Sequence, residues 1–241
     1  MNIFSFSSNP NYRNNLLRLL ISFTVIMFIV LHVSASPSDS LEEKTPVTRY
    51  RYVRLGLDLA KLTENLMQKK YKTMEFQLDY RFRKELLAVL EGGYARSTWK
   101  NAVVDYQSST MFFRIGVDQF LFRPMFQGDM DNAIIGVRYG IANVNRSTAR
   151  YQINDPVWGI STGQIPSDRF LAHWAELNAG FRLEVVPNLF FGWNFRLKAM
   201  LNSSRFVELP PAYLGGYGSA DRNSTFGYNA FLLYGLGKRN K

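Results

Sequence analysis

From residue 50 onward, apolar and polar residues alternate along the chain with a period of two. Successive side chains of a β-strand point to opposite faces, so this period is typical of strands whose two faces meet different surroundings. No long segment after residue 50 has the spacing of an amphipathic helix. The alternation predicts eight strands, at 50–59, 73–82, 86–95, 111–120, 133–141, 172–185, 189–199 and 225–236.

The polar faces of these strands carry charges of both signs in equal number, which predicts a network of ion pairs. The positive members are Arg54, Arg81, Arg114, Arg138, Arg182, Arg196 and Lys198, and the negative members are Asp58, Glu75, Asp79, Glu91, Asp118, Glu176 and Glu184. Most of the strand glycines share these faces, whereas the large aromatic residues lie on the apolar faces.

Two architectures fit such strands. A soluble barrel or sandwich turns its apolar face inward, and a transmembrane barrel turns that face outward to lipid. The interior of a narrow barrel has room for glycine and paired charges, while bulky groups have unlimited room outside. The distribution therefore favours an all-β fold, an eight-stranded antiparallel transmembrane β-barrel with an up-and-down meander.

Long and short connections alternate between the predicted strands. They lie at 60–72, 83–85, 96–110, 121–132, 142–171, 186–188 and 200–224. Outer-membrane barrels have short periplasmic turns and long external loops. The even strand count therefore predicts that both termini are periplasmic, and the two longest loops, 142–171 and 200–224, are expected to offer binding surface.

The N-terminus predicts export to the bacterial outer membrane. Residues 1–35 have the features of a signal peptide: Arg13 and Arg18 precede an apolar run at 19–33, and cleavage is expected after Ala35. The alternative is an uncleaved membrane anchor, although the run is shorter than the ~20 residues of a spanning helix. Residues 36–49 are expected to form a flexible periplasmic leader, and 50–241 the barrel.

Composition excludes several classes of protein. The 241 residues contain no cysteine, which excludes a disulfide scaffold, an iron–sulfur protein and a cysteine-ligated zinc site. Hydrophobic residues make up 46% of the chain, too many for a disordered protein. No cofactor and no metal site is predicted, since Asp129 and Asp131 lack the closing glutamate of a calcium loop.

The formal net charge is +10, and the positive excess lies in the long connections. Outer-membrane lipid, including lipopolysaccharide, is the expected partner, because its phosphates complement this charge. The candidate phosphate contacts are Lys69, Lys70, Lys72, Arg96, Arg146 and Arg150. The alternative is a set of solvated loop charges. Nucleic acid is not an expected partner. Other outer-membrane proteins are further possible partners. The barrel itself is expected to be monomeric.

The segment after the signal peptide contains one histidine, His173. Any Ser–His–acid site would have to use it, with Ser203, Ser204, Asp155 or Asp168 approaching from neighbouring connections. No spacing in the sequence brings these groups together, and such a mechanism needs them in contact. No catalytic residue is therefore predicted, and His173 is the candidate for a lipid A-modifying enzyme. The alternative is an interfacial histidine beside Trp174.

Residues 50–236 resemble an uncharacterised outer-membrane β-barrel family of the Bacteroidota, catalogued as a domain of unknown function. The motifs that carry the resemblance are 54–58 (RLGLD), 114–118 (RIGVD), 136–140 (GVRYG), 173–177 (HWAEL) with Gly180, and 189–198 (LFFGWNFRLK). The resemblance implies the fold and the location, and it brings no catalytic residues.

These observations favour a non-enzymatic integral outer-membrane barrel with a filled, ion-paired lumen. Its expected role is structural or interactive, including that of an accessory subunit of an outer-membrane assembly. The two alternatives are a lipid A-modifying enzyme that uses His173 and a narrow channel.

Overall fold

The computed structural model describes residues 53–67, 71–83, 85–122, 130–157, 159–203, 209–211 and 213–236. The predicted signal peptide, the predicted leader and the first residues of the predicted strand 50–59 lie outside these ranges.

Ten strands and one helix make up the described chain. They are β1 (Val53–Asp58), α1 (Leu59–Met67), β2 (Tyr71–Arg81), β3 (Leu86–Lys100), β4 (Val104–Phe120), β5 (Asn132–Arg146), β6 (Ala149–Asp155), β7 (Gly159–Ile165), β8 (Asp168–Val186), β9 (Leu189–Met200) and β10 (Ser224–Leu236).

Eight of these strands close into an antiparallel barrel. The hydrogen-bonded order is β3-β2-β1-β10-β9-β8-β5-β4, and pairing of β3 with β4 completes the ring. The predicted fold class is confirmed, and each predicted strand corresponds to one barrel strand. The connections 82–85, 121–131 and 187–188 define what we call the short-turn end. The connections 59–70, 101–103, 147–167 and 201–223 define the long-connection end.

The barrel has a polar interior and an apolar exterior. Along β4, Arg114 is 1% exposed while the next residue, Ile115, is 64% exposed. Along β2, Glu75 is 1% exposed while Phe76 is 53% exposed. A soluble protein has the opposite arrangement. Exposed apolar residues continue around the wall on every barrel strand, as in a transmembrane barrel.

Helix α1 fills a gap in the barrel wall. Strand β1 ends at Asp58, so β2 and β10 extend beyond it with no strand between them, and α1 contacts both. Asp58 caps the helix, since its Oδ1 accepts hydrogen bonds from the backbone N–H groups of Ala60 (2.9 Å) and Lys61 (3.3 Å). The Asn65 amide donates to the Thr73 carbonyl (2.6 Å) and accepts from the Thr73 N–H (2.7 Å). A side chain thus satisfies backbone groups of β2 that a neighbouring strand would otherwise bind.

The helix and one hairpin differ from the sequence prediction. No helix was predicted from the sequence. Helix α1 nevertheless covers Leu59 and the first eight residues of the predicted connection 60–72. Strands β6 and β7 form a hairpin within the predicted loop 142–171, and β6 pairs with β4 only at Val104 and Asp105. Within the described residues, no helix has both the length and the apolar character needed to cross a membrane.

Candidate functional site

The centre of the lumen is filled by arginine–carboxylate pairs. Arg114 contacts Glu75 (Nη2–Oε2 2.6 Å), Glu91 (Nε–Oε2 2.7 Å) and Glu176 (Nη1–Oε1 3.5 Å). Arg196 binds both carboxylate oxygens of Glu91, at 2.7 and 2.8 Å, and reaches Glu176 at 3.1 Å. These side chains are completely or almost completely buried, so removal of one charge would leave its partners uncompensated.

A second group of pairs extends this network toward the short-turn end. Arg138 joins Asp118 to the central pairs, because it contacts Glu91 at 3.3 Å and Asp118 at 2.9 Å. Asp79 lies 3.2 Å from the Nη2 atom of Arg54 and 3.7 Å from the Nε atom of Arg182. Among the described residues, five arginines and five carboxylates thus form two sets of ion pairs: the pairs joined through Glu91, and Asp79 with its two arginines.

Aromatic rings inside the barrel pack against the arginines. The guanidinium carbons of Arg54, Arg114 and Arg196 lie 5.1, 5.0 and 5.8 Å from the ring centres of Phe190, Phe112 and Phe231, respectively. A planar guanidinium binds carboxylates at its edge and stacks on a ring with its face. These inward aromatics were not predicted from the sequence. The available signal was their parity, because each lies on the same face of its strand as the neighbouring inward residues.

Inward glycines make room for the long side chains. Gly116 lies directly opposite Arg138 across β4 and β5, and a Cβ atom at Gly116 would lie 2.6 Å from the Cγ atom of Arg138. Gly192 lies opposite Arg182 across β8 and β9, where a Cβ atom would lie 2.7 Å from a guanidinium nitrogen. Each arginine thus passes over a glycine to reach its carboxylates.

A turn of the last long connection closes the long-connection end of the lumen. We call residues 213–218 the plug. Its carbonyl at Gly216 accepts hydrogen bonds from the Nη1 atom of Arg114 (3.0 Å) and the Nζ atom of Lys198 (2.7 Å). Leu214 and Tyr217 are completely buried, and the Tyr217 ring meets that of Trp174 edge to face at 5.7 Å.

The plug changes one interpretation drawn from the sequence. The connection 200–224 was expected to offer external binding surface, yet its residues 214–217 are buried inside the barrel mouth. Trp174, beside His173, points inward toward the plug, and its indole N–H donates to the Oε1 atom of Glu176 at 2.6 Å.

Four predicted network residues have other roles. Asp58 accepts hydrogen bonds from Asn229 and caps α1, and Lys198 binds the plug. Arg81 stacks on Phe120 at 5.1 Å, near the short-turn end. Glu184 accepts a hydrogen bond from the Asn188 N–H (2.9 Å) in the β8–β9 turn.

The predicted lipid-phosphate contacts that the structure describes lie at the long-connection end, where Lys72 is the cross-strand partner of Arg96. Lys72, Arg96 and Arg150 are exposed at the long-connection end, and Lys69 and Lys70 lie outside the described residues. Arg146 differs from the expectation because it is buried inside the barrel mouth, 5% exposed, and its Nη2 atom donates to the Pro166 carbonyl at 3.2 Å.

No catalytic triad forms at His173 among the described residues. Its ring lies 6.0 Å from that of Tyr139 on the outer wall, and its Nδ1 atom has no hydrogen-bond partner within the described part of the chain. Ser204 and the Asp155 side chain lie outside that part. The described residues also contain no group of histidine, aspartate and glutamate side chains placed to bind a metal ion.

Solved structures similar to this chain are small outer-membrane barrels. The N-terminal β-barrel domain of Pseudomonas aeruginosa OprF is 9% identical, with 77% of this chain and 98% of that chain covered and a TM-score of 0.37. Ail of Yersinia pestis is 8% identical, with 77% and 95% covered and a TM-score of 0.37. Neisserial surface protein A is 11% identical, with 78% and 96% covered and the same TM-score. No curated protein matches the chain.

The sequence resemblance to a family of unknown function is confirmed by a direct family match. The model described as "Domain of unknown function (DUF6048)" matches residues 16–238, which is most of the chain, and the chain therefore belongs to the DUF6048 family.

Proposed function

We propose that this protein is an integral outer-membrane barrel with a closed lumen and a structural or interaction role. The observation that carries the proposal is the inverted distribution of side chains. Buried arginines and carboxylates fill the interior, and apolar residues cover the exterior. An exposed apolar surface that surrounds the whole barrel needs lipid to cover it.

The filled lumen supports a role other than conduction. The side chains of Arg114, Arg138 and Arg196 are fully buried, which supports a lumen packed with side chains at this level. The plug covers this layer from the long-connection end. An eight-stranded barrel has an interior that side chains fill, unlike the wide channel of a porin.

Planar-bilayer recording tests the closed lumen. The purified full-length chain should produce no stable unitary currents under conditions in which a porin, used as the positive control, conducts. Stable unitary currents would instead favour the narrow channel and contradict a closed lumen.

The β6–β7 hairpin supports an interaction role. It extends from the barrel at the long-connection end, and Ile153, Val157 and Ile160 are exposed on it. Among the described strands, β7 pairs only with β6, so its outer edge is open. An open strand edge with exposed apolar side chains binds other proteins by adding a strand. A photo-crosslinking amino acid at Ile160 should capture a partner protein in native outer membranes, whereas one at the exposed Val103 outside the hairpin should not.

Surface labelling tests the orientation that this role requires. The chain contains no cysteine, so each introduced cysteine is unique. On intact cells, cysteines at Ile160 and Ser219 should react with an impermeant maleimide, and one at the exposed Arg83 of the short-turn end should react only after lysis. Labelling at Arg83 together with protection at the other two sites would reverse the orientation.

A further inference from the structure

A cavity of about 280 Å³ lies at the long-connection end, bounded by α1, β2, β10 and the plug. The lining residues that matter here are Lys61, Tyr71, Thr73, Lys198, Tyr213 and Thr225. Ser219 and Phe226, which also line it, are exposed and mark where it reaches the surface. The volume is close to the lower limit of small-molecule sites, about 300 Å³, so the cavity suits one small ligand.

Two carboxylates at the cavity each have a cationic partner. Lys61 forms a salt bridge with Glu64 at 2.9 Å, and Glu75 is held by Arg114 at 2.6 Å. Burial alone would lower the pKa of Lys61, but Tyr213, Glu75 and Glu64 outweigh it and raise that pKa, so Lys61 stays protonated. Each of these two carboxylates thus already has a cationic partner.

Lys198 is the remaining charged side chain that lines the cavity. It is 7% exposed, and among the described residues it forms no salt bridge. Its ammonium group donates to the carbonyls of Gly216 (2.7 Å) and Tyr217 (3.2 Å). An ammonium has three N–H donors, so one remains beyond these two bonds. Glu176 lies opposite Lys198 across β8 and β9, but no described carboxylate comes within salt-bridge distance of its ammonium, so an anion in the cavity would provide a direct counter-charge.

Aromatic rings and hydroxyls form the rest of the lining. The rings of Tyr71 and Tyr213 lie 4.9 Å apart, and the Tyr228 ring lies 5.9 Å from the Nζ atom of Lys61. Burial raises the pKa of the Tyr213 hydroxyl, which keeps it a neutral donor. Ring faces with hydroxyl donors beside them suit a ligand that has both C–H surfaces and hydroxyl groups.

We propose that this cavity binds a small hydroxylated anion, a sugar phosphate or a sugar carboxylate, with its acidic group at Lys198. The ligand is either a free sugar derivative or the phosphorylated sugar headgroup of a glycolipid. This assignment goes beyond the proposed function and does not depend on it, since neither the hairpin nor conduction enters the argument.

Calorimetry on the full-length chain folded in detergent micelles tests the site. Glucose 6-phosphate should bind more tightly than inorganic phosphate, and glucose should bind weakest. Lys198→Met should weaken the binding of glucose 6-phosphate at least tenfold. Lys100→Met removes the same charge from an exposed position that does not line the cavity, and it should change that binding less than twofold.

A second variant covers the case in which Lys198→Met fails to fold. Tyr213→Ala removes a ring and should weaken glucose 6-phosphate binding while leaving inorganic phosphate binding unchanged. A phosphorylated glucosamine glycolipid added to the micelles provides the other arm, and binding of that glycolipid alone would assign the ligand to a headgroup. Equal binding of glucose and glucose 6-phosphate, or no binding of any of these probes, would overturn the proposal.

Discussion

At the scale of single residues, the lumen depends on charges that have no access to water. Arg138 connects Asp118, which lies nearer the short-turn end, to the central Glu91. Its position opposite Gly116 gives it the space to do so. Because burial removes the hydration of these groups, their stability depends on complete pairing rather than on any single contact.

Arg138→Ala should therefore destabilise the barrel strongly. It leaves two buried carboxylates short of a cation, which costs about 3–5 kcal/mol in buried pairs. Urea unfolding in lipid vesicles, followed by the loss of the heat-modifiable folded band, measures the change. Arg96→Ala at an exposed position is the control and should stay within about 0.5 kcal/mol. If both variants unfolded at the same urea concentration, water and not Arg138 would compensate the charge of the two carboxylates.

At the scale of the elements, the plug depends on glycine. Gly216 has a φ of +77°, and a Cβ atom there would lie 2.6 Å from the Phe112 ring. Gly159, in the β6–β7 hairpin, has a nearly identical φ of +75°, but nothing lies within 4 Å of its Cβ position. The two glycines thus share the backbone requirement and differ in packing.

Gly216→Ala and Gly159→Ala should separate these two effects. Backbone strain alone should cost about 1–2 kcal/mol at each position. Gly216→Ala should cost about 1–3 kcal/mol more, because it crowds Phe112 and displaces the carbonyl that binds Arg114 and Lys198. Equilibrium unfolding of both variants in the same lipid measures the difference. Equal losses would show that the plug does not pack against the lumen.

The barrel strands were predictable from sequence, and the elements between them were not. Alternation over nine or more residues specifies both a strand and its inward face, because a shift of one residue would bury the wrong side. Helix α1 is nine residues long, and its signal was limited to the cap at Asp58 and the spacing of Leu59, Leu62 and Leu66. The hairpin is short and largely exposed: apolar and polar residues alternate in β6 only over Ala149–Asn154, and β7 shows no regular alternation.

The candidate site was predictable only in part for a similar reason. Strand parity brings together the central arginines and carboxylates without any knowledge of the fold. The plug and the cavity depend on where one connection returns, and only the glycines at 215–218 hinted at a close approach. Arg146 follows the parity of β5 into the barrel mouth, although its position in the sequence resembles a loop.

At the scale of the whole molecule, the distribution of side chains indicates which medium surrounds the barrel. Three layers fill the lumen from the long-connection end: an apolar layer around Trp174 and Tyr217, the ion pairs, and an apolar layer around Phe190 and Phe231. The described outer wall instead exposes large apolar residues on every barrel strand. A barrel built in this way is stable only where its exterior is not in water.

Two Ile→Arg substitutions should show where that boundary lies. Ile115 is 64% exposed on the barrel wall, and Ile153 is 43% exposed on the hairpin. If lipid covers the wall, Ile115→Arg should cost about 2–4 kcal/mol in vesicles, because the charge enters the hydrocarbon near the middle of β4. Ile153→Arg should stay within about 0.5 kcal/mol, because the hairpin lies in water. The free energy of folding into vesicles, measured by urea titration for both variants, makes the comparison. Costs below 0.5 kcal/mol at both positions would place the wall in water and contradict a membrane barrel.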